Sequence, residues 1–203
     1  MNCDRLAPWY RWLEYAAFGG ALRRRREAFL FELGNPQKVL VLGDGDGRFL
    51  QVFTALYPQA SIDAVDGSVR MIELAQARAP SVTFHHADAR EFCFEQQYDL
   101  AVAHFFFDCF EQQELASLLA RVPTESWLVS EFQNTPWSWP ILRALYFFFR
   151  ITTGLRVKSL PDHRTALKKI GFRPVKHQSA LAGLLTSELW LREPPNPALN
   201  PLE

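Results

Sequence analysis

The chain has 203 residues, 48% of them hydrophobic, with 22 basic and 22 acidic side chains. A chain of this size and composition can bury a sizeable core, which excludes extended disorder. Its formal net charge of zero disfavours nucleic acid as a partner, because that partner requires a basic face. Three cysteines without a C-x-x-C pair form neither a disulfide framework nor a metal site, so a reduced, cytoplasmic protein is expected.

Targeting and membrane segments are not predicted either. Residues 1–20 lack the apolar run of a signal peptide. The most apolar window, residues 139–151, contains Arg143 and Arg150 and is far shorter than the ~20 residues that span a bilayer. The sequence therefore predicts no transmembrane helix.

Two short helices are predicted to open the chain, over about residues 6–17 and 21–33, with a glycine pair between them. The second helix contains four consecutive arginines, Arg23–Arg26. Consecutive residues fan around a helix, and neighbouring acids dilute the charge. These arginines are therefore predicted to form a solvated helix face rather than a nucleic-acid site.

From residue 38 onward, strand-like and helix-like segments alternate. The first strand, Lys38–Leu42, is an apolar run without alternation, which is typical of a strand buried on both faces of a parallel sheet. Predicted strands follow at 61–65, 82–85, 98–103 and 127–132, with helices at 48–57, 68–78 and 111–121. This rhythm predicts an α/β fold with helices on both faces of a mostly parallel sheet.

The last third of the chain is predicted to add two helices and a hairpin. The helices cover about 140–153 and 162–171. Two further strands, at 172–179 and 184–192, are close enough in sequence to pair antiparallel. We therefore expect seven strands, the last two forming a C-terminal hairpin.

No repeat, long linker or low-complexity block divides the chain, so a single domain is expected. It would comprise a helical cap (1–35), a Rossmann-like core (36–193) and a flexible tail (194–203). The predicted helix at 140–153 has almost no polar face. We expect it to wall an apolar pocket; the alternatives are a homodimer interface, which leaves monomer or homodimer open, and peripheral contact with a membrane.

A glycine-rich turn follows the first strand. Gly43, Gly45 and Gly47 would let backbone amides and a helix N-terminus approach a ligand without interference from Cβ atoms. Arg48 stands where the dinucleotide fingerprint requires its third glycine, which disfavours a pyrophosphate cofactor and a nicotinamide oxidoreductase. Because glycines at this spacing also occur in tight turns without a ligand, the neighbouring residues carry the interpretation.

Acidic residues around this turn favour a cationic ligand that carries a ribose. Asp44 and Asp46 lie between the glycines and would repel phosphate oxygens. Asp66 follows Gly47 by 19 residues, at the end of the second predicted strand, where an acid accepts hydrogen bonds from ribose hydroxyls in this architecture. A ribose together with a positive charge indicates S-adenosylmethionine.

The chain resembles the seven-strand, Rossmann-like (class I) methyltransferases that depend on S-adenosylmethionine. Four segments match that family in order: Val39–Gly47, Asp66–Met71, His86–Ala89 and Tyr98–Val102. The resemblance covers about residues 38–192. One departure is Val41, where the family's first motif has an acid, and Asp44 is expected to take over its role.

The resemblance implies a set of cofactor-binding residues: Gly43, Asp44, Gly45, Gly47, Asp66, Gly67, Ser68, Met71, Asp88, Ala89 and His104. The glycine loop would hold the methionine end of the cofactor and Asp66 the ribose. Met71 would pack against the adenine, whose edge Asp88 and the Ala89 amide would bind. The alternatives are helix N-terminal acids for Asp66 and Asp88, a core residue for Met71 and a helix N-cap for Ser68.

The segment after the fourth strand is expected to face the methyl donor, because open α/β folds bind ligands at the carboxyl ends of their strands. Methyl transfer is an in-line displacement that depends on positioning and on exclusion of water. His104 is the candidate general base if the acceptor must lose a proton; alternatively it hydrogen-bonds the backbone. Candidate substrate-binding residues are Tyr10, Phe105, Asp108 and Trp137, of which Asp108 has an alternative as a helix cap.

The predicted function is methyl transfer from S-adenosylmethionine to a small, hydrophobic or aromatic acceptor, with S-adenosylhomocysteine as the product. No metal is expected, because His85 and His86 are adjacent on a strand and no His or Cys pair has ligand spacing. Two alternatives remain: non-methyl chemistry on the same scaffold, and a non-catalytic protein that binds S-adenosylmethionine or a nucleotide.

Overall fold

The computed structural model describes residues 7–138, 140, 143–144, 150–152, 157 and 159–194. Its strands are β1 (Lys38–Leu42), β2 (Ser61–Asp66), β3 (Thr83–His86), β4 (Leu100–His104), β5 (Ser126–Phe132), β6 (Phe172–Ala180) and β7 (Leu185–Arg192). They form one sheet in the order β3-β2-β1-β4-β5-β7-β6. Strands β1 to β5 are parallel, whereas β7 runs antiparallel to both β5 and β6. The predicted C-terminal hairpin is confirmed.

Helices cover both faces of this sheet. They are α1 (Ala7–Phe18), α2 (Ala21–Arg26), α3 (Arg48–Leu56), α4 (Val69–Arg78), α5 (Gln112–Arg121) and α6 (His163–Lys169). On β1, Val39 and Val41 pack in a cluster with side chains of α3, whereas Leu40 and Leu42 pack in a cluster with side chains of α5 and α6. Burial on both faces explains why the apolar run of β1 does not alternate.

The second predicted helix is wrong in its length. It ends at Arg26 rather than near Leu33, because Phe29 has a left-handed backbone with φ 66° and a short 3₁₀ turn, Leu30–Glu32, follows. An L-residue in this conformation cannot continue an α-helix. Most of the predicted helix at 140–153, and the tail beyond residue 194, lie outside the described residues.

Helix α2 lies over the sheet near the carboxyl end of β5. The hydroxyls of Ser130 and Ser187 both donate hydrogen bonds to the backbone carbonyl of Arg25, at 2.8 and 2.7 Å. This contact places the N-terminal helices next to the carboxyl ends of the parallel strands. In the part of the chain that the structure describes, no helix is long and apolar enough to cross a membrane.

Candidate functional site

The glycine loop connects β1 to α3 in a strongly curved path. Gly43, Gly45 and Gly47 have φ values of 64°, 69° and 81°, which favour glycine. A Cβ atom on Gly47 would lie 2.5 Å from the Cα of Ala75, and one on Gly43 would lie 2.2 Å from the Phe106 ring. Gly45 differs, because a Cβ there meets nothing within 4 Å. Gly45 thus leaves open space beside the loop.

Asp66 holds the loop from the end of β2. Its carboxylate accepts hydrogen bonds from the amides of Gly45 and Ser68, at 3.3 and 2.8 Å. Ser68 is the N-cap of α4, since its hydroxyl accepts a hydrogen bond from the Met71 amide at 3.2 Å. Asp66 thus ties the glycine loop to the N-terminus of α4, with its carboxylate oxygens acting as acceptors.

One pocket lies between the glycine loop, β2 and α4. Its lining residues are Asp44, Gly45, Ala64, Val65, Asp66, Ile72, Ala75 and Phe84. In this structure it has room for about one water molecule. Met71 does not line it and is only 3% exposed, so Ile72 is the α4 side chain that faces the pocket together with Ala75.

Asp44 is the unusual acid of this pocket. Its Oδ2 accepts a hydrogen bond from the Leu50 amide at 3.3 Å, but its buried Oδ1 has no partner among the described residues. Burial, with added repulsion from Asp46 and Asp66, raises the pKa of Asp44 to about 7, against the opposing charge of Arg26. A cationic ligand would supply the missing partner for this oxygen, which fits the cation inferred from the sequence.

A network of buried ion pairs ties the N-terminal helices to the glycine loop. Glu14 of α1 makes two bonds to the guanidinium of Arg26, at 2.8 and 2.9 Å, and a third to Arg48 at 3.0 Å. Arg48 also binds Asp46 at 2.8 Å, and Asp46 binds Arg78 of α4 at 3.2 Å. Burial alone would raise the pKa of Glu14, but its bonds to Arg26 and Arg48 hold that pKa below its ordinary value.

The interpretation of the four arginines as a solvated face is wrong for half of them. Arg23 and Arg24 are exposed, but Arg25 and Arg26 are each only 8% exposed. The sequence also offered no sign that Glu14 would pair with Arg26. The partners are 12 residues apart and on different helices, so no spacing rule for a single helix links them.

His104 ends β4 in a closed environment. It is 5% exposed, the ring of Phe49 lies 4.6 Å from its own in an edge-on contact, and neither ring nitrogen has a hydrogen-bond partner among the described residues. Burial first, and then the charge of Arg26, holds the pKa of His104 well below its ordinary value. The ring is therefore neutral, with a free lone pair, but its surroundings disfavour the imidazolium that a general base becomes.

The turn after β4 contacts both the glycine loop, through Phe106, and α2, through Phe105. Phe105 has a left-handed backbone with φ 52°, and its amide donates to the Ser130 carbonyl at 2.7 Å. The guanidinium of Arg26 lies 5.3 Å from the Phe105 ring centre. Left-handed backbone at a bulky residue is strained and is found preferentially at functional sites.

Glu131 of β5 supports the same turn and was not singled out in the sequence. It is 2% exposed and accepts hydrogen bonds from the amides of Phe107 and Phe132, at 2.9 and 3.2 Å. Burial and the nearby carboxylate of Asp108 raise the pKa of Glu131 well above its ordinary value. Asp108 is not the helix cap, because Glu111 caps α5 through a reciprocal pair with Glu114. Burial raises the pKa of Asp108 to about 6.

Five further residues were predicted for the site, and the structure places them as follows. Asp88 accepts a hydrogen bond from the Arg90 amide at 2.9 Å and pairs with the Arg90 side chain at 3.1 Å. Its neighbour Ala89 is buried, and Gly67 lies near the Ala87 carbonyl. Trp137 is 45% exposed, and its indole donates to Ala182, in the turn between β6 and β7, at 3.1 Å. Tyr10 falls in α1, but its side chain is outside the described part.

Metal ligands are not gathered in the described ranges: no group of three or more His, Cys, Asp or Glu side chains there could hold an ion.

The fold is one shared with a known class of protein. A mostly parallel sheet in which β7 lies antiparallel between β5 and β6, with a glycine loop after β1 and an acid at the end of β2, is the arrangement of the class I, Rossmann-like methyltransferases. Residues 39–124 match the family model described as a methyltransferase domain. The fold is that of this class, and the matched segment resembles its domain model.

Curated relatives share the same region. A malonyl-[acyl-carrier protein] O-methyltransferase from Bacillus cereus is 31% identical over 96 residues, which are 45% of this chain and 36% of that protein. A trans-aconitate 2-methyltransferase from Methylobacterium nodulans is 34% identical over 90 residues, 44% of this chain and 34% of that protein. The chain thus matches only about a third of the length of these relatives.

Solved structures extend the likeness of fold over nearly the whole chain. The DhpI complex with S-adenosylhomocysteine gives a TM-score of 0.72 at 14% identity and covers 94% of this chain and 93% of that one. The Burkholderia thailandensis 1,6-didemethyltoxoflavin N1-methyltransferase gives a TM-score of 0.65 at 18% identity, covering 93% and 85%. At these identities the likeness establishes the fold.

Proposed function

We propose that this protein transfers a methyl group from S-adenosylmethionine to a small acceptor that carries a carboxylate or another readily ionised group, and releases S-adenosylhomocysteine. The observation that carries the proposal is one pocket in which open space beside Gly45 adjoins Asp66 and the unpaired, buried oxygen of Asp44. These groups suit a ligand that has both ribose hydroxyls and a positive charge. The matched methyltransferase-domain model and the bound S-adenosylhomocysteine of both structural neighbours support the same cofactor.

The residues present would divide the binding of the cofactor among them. Asp66 would accept the ribose hydroxyls, and the carboxyl of Asp44 would face the positively charged amino-acid end beside the glycine loop. Asp88 and the Ala89 amide would meet the edge of the adenine. The cofactor, when bound, supplies an electrophilic methyl carbon on a sulfonium.

The acceptor side of the proposal favours a group that is already ionised or easily ionised. In-line displacement at a methyl carbon requires positioning and exclusion of water more than a strong base. The neutral His104 ring could take a proton, but burial and Arg26 both oppose its charged form. A carboxylate needs no base, and both malonyl and trans-aconitate, the acceptors in the names of the two curated relatives, carry carboxylates.

The proposal is tested by calorimetric titration of the purified protein with S-adenosylmethionine and S-adenosylhomocysteine. We expect micromolar binding of both, and binding weaker by about tenfold or more in Asp66→Ala, because hydrogen bonds to a charged group are lost. Glu73→Ala is the matched control, since Glu73 is exposed on α4 and pairs only with Arg70 in the described structure. NADH should not bind.

Two results would overturn the proposal: binding of neither sulfur ligand, or equal affinity in all three proteins.

The non-catalytic alternative makes a different prediction. Val41, which stands at the acidic position of the family's first motif, is 1% exposed and packs in the core. If cofactor binding is normal but no labelled methyl group is transferred in a screen of carboxylic acids and phenols, that alternative is favoured.

A further inference from the structure

Arg25 is a buried cation whose role the proposed chemistry does not explain. It is 8% exposed, and its buried Nε and Nη1 atoms have no hydrogen-bond partner among the described residues. Burial, and then the like charge of Arg24, lowers the pKa of the Arg25 guanidinium. Arg26, the next residue, shows the usual solution, because Glu14 neutralises it with two hydrogen bonds.

A buried guanidinium without an acid is costly, so proteins pair such groups or use them. The undescribed residues between 139 and 158 include no Asp or Glu and thus offer no carboxylate. Besides burial, the charge of Arg24, which is also positive, lowers the pKa of the Arg25 guanidinium. The missing partner of Arg25 is therefore better supplied by a ligand than by this part of the chain.

The position of Arg25 in the fold relates it to the acceptor side of the site. Its carbonyl receives hydrogen bonds from Ser130 and Ser187, and Ser130 is the direct neighbour of His104 in the pairing of β4 with β5. The adjacent Arg26 lies over the ring of Phe105. This turn of α2 thus flanks the carboxyl ends of β4 and β5.

We propose that Arg25 binds an oxyanion, a carboxylate or a phosphate, carried by the methyl acceptor. The inference rests on the proposed function for the identity of that ligand as an acceptor. The planar guanidinium matches both oxyanions with two parallel hydrogen bonds, which fix orientation as well as position. Anchoring the acceptor at one end would hold its reacting atom in line with the methyl group.

The test compares wild type with Arg25→Met and Arg24→Met, since Arg24 is an exposed neighbour on the same helix. Thermal unfolding and calorimetry are measured with sodium malonate and with inorganic phosphate, at constant ionic strength. We expect malonate or phosphate to bind and stabilise wild type and Arg24→Met, and to bind Arg25→Met about tenfold more weakly or not at all. The anion that binds more tightly identifies the source of the oxyanion.

Two results would overturn the inference: neither anion stabilises wild type, or both anions stabilise all three proteins equally. Titration with S-adenosylhomocysteine separates this failure from that of the proposed function. It should bind all three proteins alike, and its failure to bind wild type would instead overturn the cofactor assignment.

Discussion

At the scale of single residues, the site depends on groups held in unfavourable states. Among the described residues, neither the buried Oδ1 of Asp44 nor the two ring nitrogens of His104 have a hydrogen-bond partner. Phe105 has a left-handed backbone. Natural proteins retain such features where a ligand or a reaction uses them. The three residues lie in or beside the turns that follow β1 and β4, where this class of sheet binds its ligands.

Asp44 makes the stability of the unliganded protein depend on pH. Its pKa is raised from 3.8 to about 7 in the folded protein, so the folded state binds more protons than the unfolded state between these values, and stability falls as pH rises through this window. The Asp44→Asn variant lacks this pH-dependent change in stability, because asparagine does not titrate. Relative to wild type, the variant should gain about 4 kcal/mol in unfolding free energy from about pH 4 to about pH 8, because one pKa unit corresponds to about 1.4 kcal/mol. Urea unfolding at both pH values measures this, and a constant difference would contradict the assignment.

Alanine substitutions at Gly47 and Gly45 distinguish the cost of backbone strain from the cost of a steric clash. Both have positive φ, so an alanine at either position costs about 1 kcal/mol in backbone strain. Only at Gly47 would the new Cβ collide with the backbone of α4, 2.5 Å from the Cα of Ala75. Gly47→Ala should therefore lose about 2 kcal/mol more unfolding free energy than Gly45→Ala. Equal losses in urea unfolding would show that the close packing of the loop on α4 is incorrect.

At the scale of elements, the sequence was most informative where one local pattern decides the structure. The apolar run of β1 does not alternate with polar residues because both faces of the strand are buried. The N-cap of α4 depends on Ser68 and Met71, which are only three positions apart in the sequence. Contacts between distant segments leave no such pattern. The pairing of Glu14 with Arg26 and Arg48, and the support of the β4 turn by Glu131, join residues 12 to 34 positions apart. They were therefore missed.

The tie between the N-terminal helices and the glycine loop predicts a large effect for Glu14→Gln. This change leaves the guanidinium groups of Arg26 and Arg48 without their shared carboxylate, so unfolding free energy should fall by about 3 kcal/mol. Glu27→Gln is the matched control, because the Arg23–Glu27 pair is longer, at 3.5 Å, and Arg23 is 69% exposed; it should lose less than about 0.5 kcal/mol. If both variants lose the same amount, the network does not hold the helices to the loop.

At the scale of the whole molecule, the strand order explains where these features meet. Strands β2 and β4 lie on opposite sides of β1, so the connections leaving β1 and β4 diverge and open a crevice at the carboxyl edge of the sheet. The glycine loop lines this crevice, and α1 and α2 are tied to it through Glu14. Although the net charge of the chain is zero, several buried arginines and acids lie together at this carboxyl edge of the sheet.

The most direct measurement of the central claim is amide hydrogen exchange of the protein with and without S-adenosylhomocysteine. The account predicts slower exchange in peptides that cover residues 43–50 and 66–71, and unchanged exchange in the β6–β7 hairpin at 172–192. Protection confined to other segments, or no protection at saturating ligand, would contradict the assignment of the pocket beside Gly45 and Asp66 as the cofactor site.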